Sequence, residues 1–387
     1  MPELAPHIAA VPPSGTRAVF NVALELAERG VPIHSLVVGE PDLAPEPHVV
    51  EAARAAWAAG EVRYAPNAGL TQLRDAVAVR LAAQRGHAVE RDQVWVTLGG
   101  TQALYLAMTL LLDPGDEILV PDPGYTTFTM APLAQSAVPV PYPLRPEHAF
   151  VPQVADLAAA VTPRTRAIVV NSPSNPLGTV LGHEVLQRVV DLAVERDLWI
   201  ISDEVYSELA FGAPHVPIAS LPGAEGRVLS VHSVSKTYAL TGARVGYLVT
   251  PSGWSEPINA LQEAMISCVA PPDQRAALAA ITGPQDGVAT ARAHYAANLA
   301  LACALLDEAG IGYLEPQGTF YLWIDVRSRS GGDVAAWAQR LLRERAVAVA
   351  PGTAFGASGE GWVRICVAAS RATIEAGIAA LAGWPQD

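Results

Sequence analysis

The 387-residue chain contains almost no lysine. Of its 25 lysine and arginine residues, Lys236 is the sole lysine and the other 24 are arginine. Either cation serves on a solvated surface, but lysine loses its proton far more readily than arginine when it is buried or near other cations. A neutral amine is a nucleophile that condenses with carbonyl compounds. Lys236 is therefore either a leftover surface residue or a reactive amine. The residues around it in the sequence distinguish the two interpretations.

Cysteine is also scarce. Cys268, Cys303 and Cys366 are scattered, odd in number and without the spacing of a metal site. We therefore expect no disulfide framework, no metal centre and a reducing compartment. Charged residues make up only 16% of the chain and hydrophobic residues 51%, as in a well-buried globular enzyme. The net charge of −13 argues against nucleic-acid binding, because that requires clustered lysine and arginine.

Long apolar runs are missing as well. The run "ALYLAMTLLL" is about half of the ~20 residues that a membrane-spanning helix needs. The N-terminal stretch "MPELAPHIAAVPPSG" has no basic region, and it has prolines where a signal peptide would be apolar. We expect a soluble cytoplasmic protein that binds no membrane.

The sequence predicts an α/β fold with two domains. A chain of this length exceeds the usual limit of a single hydrophobic core. Between residues 46 and 285, short β-branched runs such as "TRAIVV" and "LWIISD" alternate with helical stretches, which predicts a mostly parallel sheet. Residues 286–387 begin with an alanine-rich helical stretch and continue with separated strands, which indicates a smaller α+β domain. Residues 1–45 are expected to pack with that small domain.

Polar residues follow three of the predicted strands at the point where each strand ends. Asn175 comes shortly after "AIVV", Asp203 and Tyr206 follow "LWII", and Ser233 follows "VLSVH" just before Lys236. Each alone has an ordinary explanation as a helix cap, a turn residue or an amphipathic wall. Ligands of parallel sheets bind beyond the carboxyl ends of the strands, however, so these residues together predict a binding site.

A candidate phosphate site lies close to the lysine. Gly99 and Gly100 open a helix directly after a strand, where free N–H groups and the helix dipole attract anions. Ser233, Ser235 and Arg244 can add hydroxyl donors and a fixed positive charge. A reactive lysine beside a phosphate site suits an aldehyde cofactor that carries a phosphate, which is pyridoxal 5′-phosphate (PLP). Asp203 is then the natural partner of the ring nitrogen, and Tyr206 and Asn175 can hydrogen-bond the phenolic oxygen.

Several motifs, in order along nearly the whole chain, resemble those of the class I/II aminotransferases of PLP fold type I, the aspartate aminotransferase superfamily. They are "VVGEPD" (37–42), "RYAPNAGLTQLRDAV" (63–77), "GGTQAL" (99–104), "NSPSNPLG" (171–178), "SDEVY" (202–206), "SVSKTYALTGARVG" (233–246), "PGTAFG" (351–356) and "VRICVA" (363–368). The resemblance implies a large PLP domain with a mostly parallel central sheet, and a smaller α+β domain built from both termini. It also implies a homodimer with active sites at the interface.

The resemblance implies a role for each matching residue. Lys236 forms the internal aldimine, Asp203 pairs with the ring nitrogen and Tyr125 stacks on the ring. Asn175 and Tyr206 hold the phenolic oxygen. The phosphate is bound by Gly100, Thr101, Ser233, Ser235 and Arg244, joined by Tyr64 of the neighbouring subunit. Without the resemblance, Tyr64 reads equally well as a core or turn aromatic.

The substrate-binding residues follow from the same resemblance. Arg364 binds the substrate α-carboxylate, near Asn175 and the backbone of Gly39. Taken alone, Arg364 could equally form an ordinary surface salt bridge. Arg17 lies in a segment that covers the substrate side chain in similar proteins; it either pairs with an acidic or polar side chain or is a helix-surface arginine.

The implied reaction transfers an amino group from an L-amino acid to a 2-oxo acid by a ping-pong mechanism through Lys236. One alternative is a PLP-dependent C–S β-lyase, which shares the fold and cofactor site but eliminates a β-substituent. The other is a non-enzymatic PLP-sensing domain of a transcription regulator. That alternative requires a DNA-binding module, and only about 45 residues without a basic helix pair precede the large domain.

Overall fold

A computed structural model of the protein describes residues 5–384. The strands found in this range are β1 (His34–Ser35), β2 (Val94–Leu98), β3 (Glu117–Asp122), β4 (Val138–Pro143), β5 (Thr165–Asn171), β6 (Trp199–Asp203), β7 (Val228–Ser233), β8 (Val245–Val249), β9 (Tyr313–Leu314), β10 (Tyr321–Asp325), β11 (Val347–Ala348), β12 (Ala350–Pro351) and β13 (Trp362–Cys366).

Helices surround these strands, and several begin or end at residues suited to the position. Ser14 and Ser370 accept hydrogen bonds from backbone N–H groups of the helices that they precede. Gly86 ends another helix with a φ of +73°, a left-handed conformation that favours glycine. The α-helices are α1 (Pro6–Ala9), α2 (Gly15–Glu28), α3 (Pro47–Ala58), α4 (Thr71–Arg85), α5 (Gly99–Leu111), α6 (Thr127–Ala134), α7 (Val154–Ala160), α8 (His183–Glu195), α9 (Val234–Thr237), α10 (Ser255–Met265), α11 (Pro271–Thr282), α12 (Asp286–Glu308), α13 (Arg327–Ser330), α14 (Val334–Arg345) and α15 (Arg371–Ala382).

The large sheet has seven strands in the order β2-β8-β7-β6-β5-β3-β4. Strands β3 to β7 pair in parallel, whereas β8 is antiparallel to both of its neighbours, β2 and β7. The predicted mostly parallel sheet is thus confirmed. Strand β8 is fully buried, like the central parallel strands. Its unbroken apolar run therefore does not distinguish an antiparallel strand from a parallel one.

Strand β4 was not among the predicted strands, because "VPVPYP" contains three prolines. Proline cannot donate a ladder hydrogen bond and is therefore restricted to sheet edges. Strand β4 is the edge strand and pairs only with β3.

The C-terminal part forms a smaller antiparallel sheet in the order β12-β13-β10-β9. The N-terminal segment joins it: β1 pairs in parallel with β11, and the Leu36 carbonyl accepts a 2.8 Å hydrogen bond from the Cys366 N–H. Helix α12 begins at Asp286, where the sequence predicts the second part of the small domain to start. The exact domain limits remain predictions.

The two sheets share an apolar core. Ile168 and Val170 of β5 belong to one buried cluster with Trp323 of β10 and Trp362 of β13, whose rings stack at 6.0 Å. Shared packing of this kind fixes the small sheet against the carboxyl edge of the large one. Within residues 5–384, no helix has both the length and the apolar character needed to cross a bilayer.

Candidate active site

The carboxyl ends of adjacent strands bring the predicted polar residues together. Asn171 and Asp203 are register partners at the ends of β5 and β6, and β7 ends beside them at Ser233. The chain then turns directly into α9, which carries Lys236. Because these strands are neighbours in the sheet, residues more than 60 positions apart converge on one edge, as the sequence predicts.

A cavity of about 610 Å³ opens at this edge. All predicted site residues except Tyr64 line it; they are Arg17, Gly39, Gly100, Thr101, Tyr125, Asn175, Asp203, Tyr206, Ser233, Ser235, Lys236, Arg244 and Arg364. Tyr64 is 92% exposed and does not line this cavity. Its predicted role from a neighbouring subunit therefore stays a prediction.

Lys236 is a partly buried amine in the wall of this cavity. Its Nζ donates a 2.7 Å hydrogen bond to the carbonyl oxygen of Gly39, in the loop after β1. Burial lowers the pKa of Lys236 to about 8, and the positive charges of Arg364 and Arg244 act in the same direction. Cys366 and Glu40 partly oppose this shift. The lowered pKa increases the fraction of the amine that is neutral, and hence nucleophilic, near neutral pH.

Asp203 is a buried carboxylate without a cationic side chain beside it. It is 3% exposed, and its Oδ1 accepts a 3.2 Å hydrogen bond from the Val205 N–H. No lysine, arginine or histidine nitrogen of residues 5–384 forms an ion pair with it. Burial raises the pKa of Asp203 to about 7. A carboxylate in this state favours a proton, or a ligand that brings a positive N–H group.

The start of α5 forms an anion-binding corner with the loop after β7. Gly99 has a φ of +73°, and a Cβ there would lie 2.6 Å from Nη2 of Arg244, so glycine leaves space for this guanidinium. Ser233 Oγ lies 2.9 Å from Ser235 Oγ and accepts from the Ser235 N–H. Arg244 Nη1 donates to the Thr241 carbonyl at 2.8 Å. Hydroxyl, guanidinium and helix N-terminal N–H groups are what a phosphate requires.

Arg364 on β13 is a buried cation without an acidic partner. It is 3% exposed; Nη1 donates to Asn175 Oδ1 at 2.8 Å and Nη2 to the Val37 carbonyl at 2.6 Å. Its Nε is buried with no hydrogen-bond partner in the described structure. No carboxylate of residues 5–384 pairs with it. A buried guanidinium without an acidic partner favours a carboxylate, with which it can form charge-assisted hydrogen bonds.

Two aromatic residues of the site were missed by the sequence reasoning. The Tyr321 hydroxyl lies 2.7 Å from that of Tyr206, and both side chains are buried. Burial, followed by the interaction with Tyr321, raises the pKa of Tyr206 well above its usual value. Phe355 lies under the Arg364 guanidinium, 4.8 Å away. Tyr321 stands in an apolar run without a motif of its own, and Phe355, although it lies in the motif "PGTAFG", is given no role by that motif; only the tertiary fold brings both to the cavity.

Arg17 lies at the mouth of the cavity, in the first turn of α2. Its backbone N–H donates to the Ser14 side chain at 3.3 Å, and its guanidinium lies 5.2 Å from the ring centroid of Phe20. The side chain is exposed and forms no ion pair within the part of the chain that the structure describes. Both interpretations offered by the sequence therefore remain open.

The fold is thus α/β, and one cavity at its sheet edge is lined by the sole lysine, a buried carboxylate and two arginines without acidic partners among the described residues, Arg244 and Arg364. Residues 32–381 match the family model of aminotransferase class I and II. The chain belongs to this family and is an aminotransferase, an enzyme that exchanges an amino group between amino acids and 2-oxo acids.

Individual relatives agree with this assignment. The chain is 38% identical to the aspartate/prephenate aminotransferase of Thermus thermophilus over 375 residues, covering 95% of this chain and 94% of that one. It is 39% identical to an arginine–pyruvate transaminase of Pseudomonas aeruginosa over 345 residues, covering 89% and 87%. A solved single mutant of T. thermophilus aspartate aminotransferase has a TM-score of 0.93 at 36% identity, with 99% of both chains covered. The predicted fold and family are confirmed, and the lyase alternative is not favoured.

Proposed function

We propose that the enzyme uses PLP as its cofactor and that the cavity of about 610 Å³ is the PLP site. The observation that carries this proposal is the position of the sole lysine and a buried carboxylate without a cationic partner in one cavity. The anion-binding corner at the start of α5 supplies the third requirement of this cofactor. When bound, PLP supplies an aldehyde that condenses with amines and a ring that stabilises negative charge on the substrate α-carbon.

Lys236 would have two tasks. Its neutral amine is the nucleophile that anchors the cofactor, and the same Nζ moves the proton of the substrate α-carbon. The pKa of about 8 suits both tasks, because Nζ can accept and return a proton near neutral pH. The backbone carbonyl of Gly39, which accepts from Nζ, supports its orientation.

Asp203 would hold the proton on the ring nitrogen, since burial makes this carboxylate favour a positive N–H partner. Asn175 and Tyr206 are proposed to bind the phenolic oxygen and Tyr125 to contact the ring face. The residues proposed to bind the phosphate are Gly100, Thr101, Ser233, Ser235 and Arg244.

Arg364 would bind the α-carboxylate of both the L-amino acid and the 2-oxo acid through its unused donor capacity. Arg17, at the cavity mouth, is the proposed contact for an acidic or polar substrate side chain. Exchange of Arg17 for leucine would then shift the preference among amino donors, and an unchanged preference would reject this role.

We further propose a homodimer in which Tyr64 of one subunit completes the phosphate site of the other. The 92% exposure of Tyr64 and the exposed Val62 and Trp57 nearby support a covered surface in the assembly.

The large and small domains are proposed to divide at residues 45/46 and 285/286. Three cysteines without disulfide bonds support the proposed cytoplasmic, reducing compartment.

A single set of measurements tests the proposed cofactor and reaction. The purified protein is incubated with PLP, reduced with borohydride and analysed by mass spectrometry, and amino transfer to 2-oxoglutarate is followed across a panel of amino acids. We expect one adduct at Lys236 and loss of both adduct and transfer in Lys236→Ala and Lys236→Arg. Near-wild-type turnover of Lys236→Arg would overturn the proposal. Release of ammonia and pyruvate from cystathionine, without amino transfer, would instead indicate the lyase.

A further inference from the structure

Behind Asp203 lies a second buried carboxylate, that of Glu204. Asp203 lines the large cavity, whereas Glu204 lines a separate cavity of about 20 Å³ on the other side of the sheet edge. Glu204 is 2% exposed. Its backbone N–H donates to the Val231 carbonyl at 2.9 Å and so continues the pairing of β6 with β7. The Glu204 backbone is therefore fixed in the same ladder that places Asp203.

The polar contacts of Glu204 are made by uncharged or weakly basic groups. Ser202 Oγ donates to Oε1 at 2.8 Å. Oε2 lies 3.2 Å from His215 Nε2 and 3.9 Å from His232 Nε2. In residues 5–384, no arginine or lysine nitrogen comes within 4.0 Å of this carboxylate. Burial acts to raise the pKa of Glu204, but the interactions with His215, followed by those with His232 and Arg85, outweigh it and lower the pKa to about 2, so the carboxylate is charged at neutral pH.

The other titratable groups around Glu204, besides His215, include one imidazole, two tyrosines and two arginines. Burial lowers the pKa of His232 to about 4, so this imidazole is neutral at neutral pH. Burial raises the pKa of Tyr247, which stacks on His232, and that of nearby Tyr238. Arg80 is paired with Glu208 at 2.6 Å. Arg85 is the remaining nearby cation; it donates to Ser230 Oγ and forms no ion pair with Glu204.

We propose that Glu204 is a positioning residue. Its negative charge, on the residue that follows Asp203 in the chain, strengthens the interaction of Asp203 with the positively charged ring nitrogen of the cofactor. This inference rests on the proposed function. A negative charge near a carboxylate makes it a stronger base and favours a cation at its open side. In a protein interior the interaction between charges on neighbouring residues is only partly screened. Consistent with this, Glu204 acts to raise the pKa of Asp203, after the larger effect of burial.

The test compares two ligands that differ only at the ring nitrogen. They are PLP and 1-deazapyridoxal 5′-phosphate, in which a C–H group replaces that nitrogen. The affinity of the full-length apoprotein for each is measured by absorbance titration, and the ratio of the two affinities is the readout. A structural defect weakens both ligands alike, so the ratio isolates the interaction at the nitrogen.

Glu204→Gln keeps the size of the side chain and removes its charge. We expect the preference for PLP to fall about three- to tenfold, because the charge acts through an effective dielectric of about 20. Arg85→Gln removes the compensating cation and should raise the preference. This variant also tests the inference if Glu204→Gln does not fold. The matched control is Glu208→Gln, a carboxylate that lines the same small cavity but is paired with Arg80, which should leave the ratio unchanged.

Asp203→Ala separates this inference from the proposed function. If Asp203→Ala abolishes the preference but Glu204→Gln and Arg85→Gln leave it unchanged, Glu204 is only structural and the inference is overturned. If Asp203→Ala also leaves the preference unchanged, Asp203 does not bind the ring nitrogen. That result rejects the proposed role of Asp203 and, with it, the inference about Glu204.

Discussion

The guanidinium of Arg364 lies 4.2 Å from the ring centroid of Tyr321, and the Tyr321 hydroxyl lies 2.7 Å from that of Tyr206. This chain of contacts connects the proposed substrate anion site on β13 with the proposed cofactor site at the end of β6. A stacked guanidinium keeps its plane fixed, so its free donor edge has one orientation. The small sheet thereby fixes the orientation of the Arg364 guanidinium, the proposed carboxylate site, relative to the large sheet.

Arg364→Lys should lower kcat/KM for L-amino acids about 100-fold, since a lysine lacks the planar fork that binds a carboxylate and stacks on Tyr321. The measurement is steady-state kinetics with the preferred amino donor. Arg371→Lys is the control, because that arginine is exposed and pairs with Glu375 on α15. An unchanged KM and kcat in Arg364→Lys would remove this residue from the substrate site.

The covalent attachment of PLP to the apoprotein should become faster with rising pH, with a midpoint near 8. Below this pH Lys236 is an ammonium ion and cannot attack, and its pKa is lowered to about 8 by burial. Stopped-flow absorbance from pH 6.5 to 10 gives the profile, and Lys236→Ala supplies the baseline. A midpoint close to the ordinary lysine value of 10.5 would show that the amine is not desolvated.

The hydroxyl pair of Tyr206 and Tyr321 should behave as one unit in a double-mutant cycle. Each single change to phenylalanine leaves a buried hydroxyl without its partner and should cost about 1–2 kcal/mol in the free energy of unfolding. The double variant should cost less than the sum, by about 1 kcal/mol. Denaturant unfolding of the apoprotein measures all four proteins, and strict additivity would contradict the hydrogen bond.

The contribution of His232 to the free energy of unfolding should fall as the pH is lowered from about 6.5 to 4, whereas Asp203, whose pKa burial raises to about 7, acts in the opposite direction in this window. The unfolded chain protonates His232 near pH 6.5, whereas burial delays this to about 4 in the fold. At this residue the unfolded state binds more protons in this window, so its contribution to stability decreases on acidification, by on the order of 2–3 kcal/mol. His232→Gln should lose this contribution, so that on acidification its stability changes in the stabilising direction relative to wild type, whereas the exposed control His148→Gln should keep the wild-type profile. Equal slopes in both variants would contradict the prediction.

Two inactive variants should complement each other if Tyr64 acts across a dimer interface. Lys236→Ala lacks the nucleophile, and Tyr64→Ala should bind PLP weakly at limiting cofactor. Random mixing of subunits gives heterodimers with one intact site, so activity should return to about a quarter of wild type. Mixtures that stay as inactive as their components would place Tyr64 outside the partner's site.

The sequence predicts most of the site because parallel strands carry their ligands at one edge. Asp203, Ser233 and Lys236 follow clear apolar runs, and the order of the strands in the sheet brings these residues to one edge. Tyr321 could not be found this way, since its role depends on how the small sheet packs against the large one. Glu204 escaped notice because neighbouring strand residues face opposite sides, and only the structure shows what lies behind Asp203.

The position of the sole lysine in the wall of the cavity has a practical consequence. Reagents that acylate or cross-link side-chain amines find none on the outer surface of this enzyme, whose cations there are guanidinium groups. Bifunctional amine cross-linkers would therefore fail to connect lysine side chains of adjacent subunits even in a tight dimer. The same property gives chemists a single amine side chain to modify, and the cofactor itself would protect it.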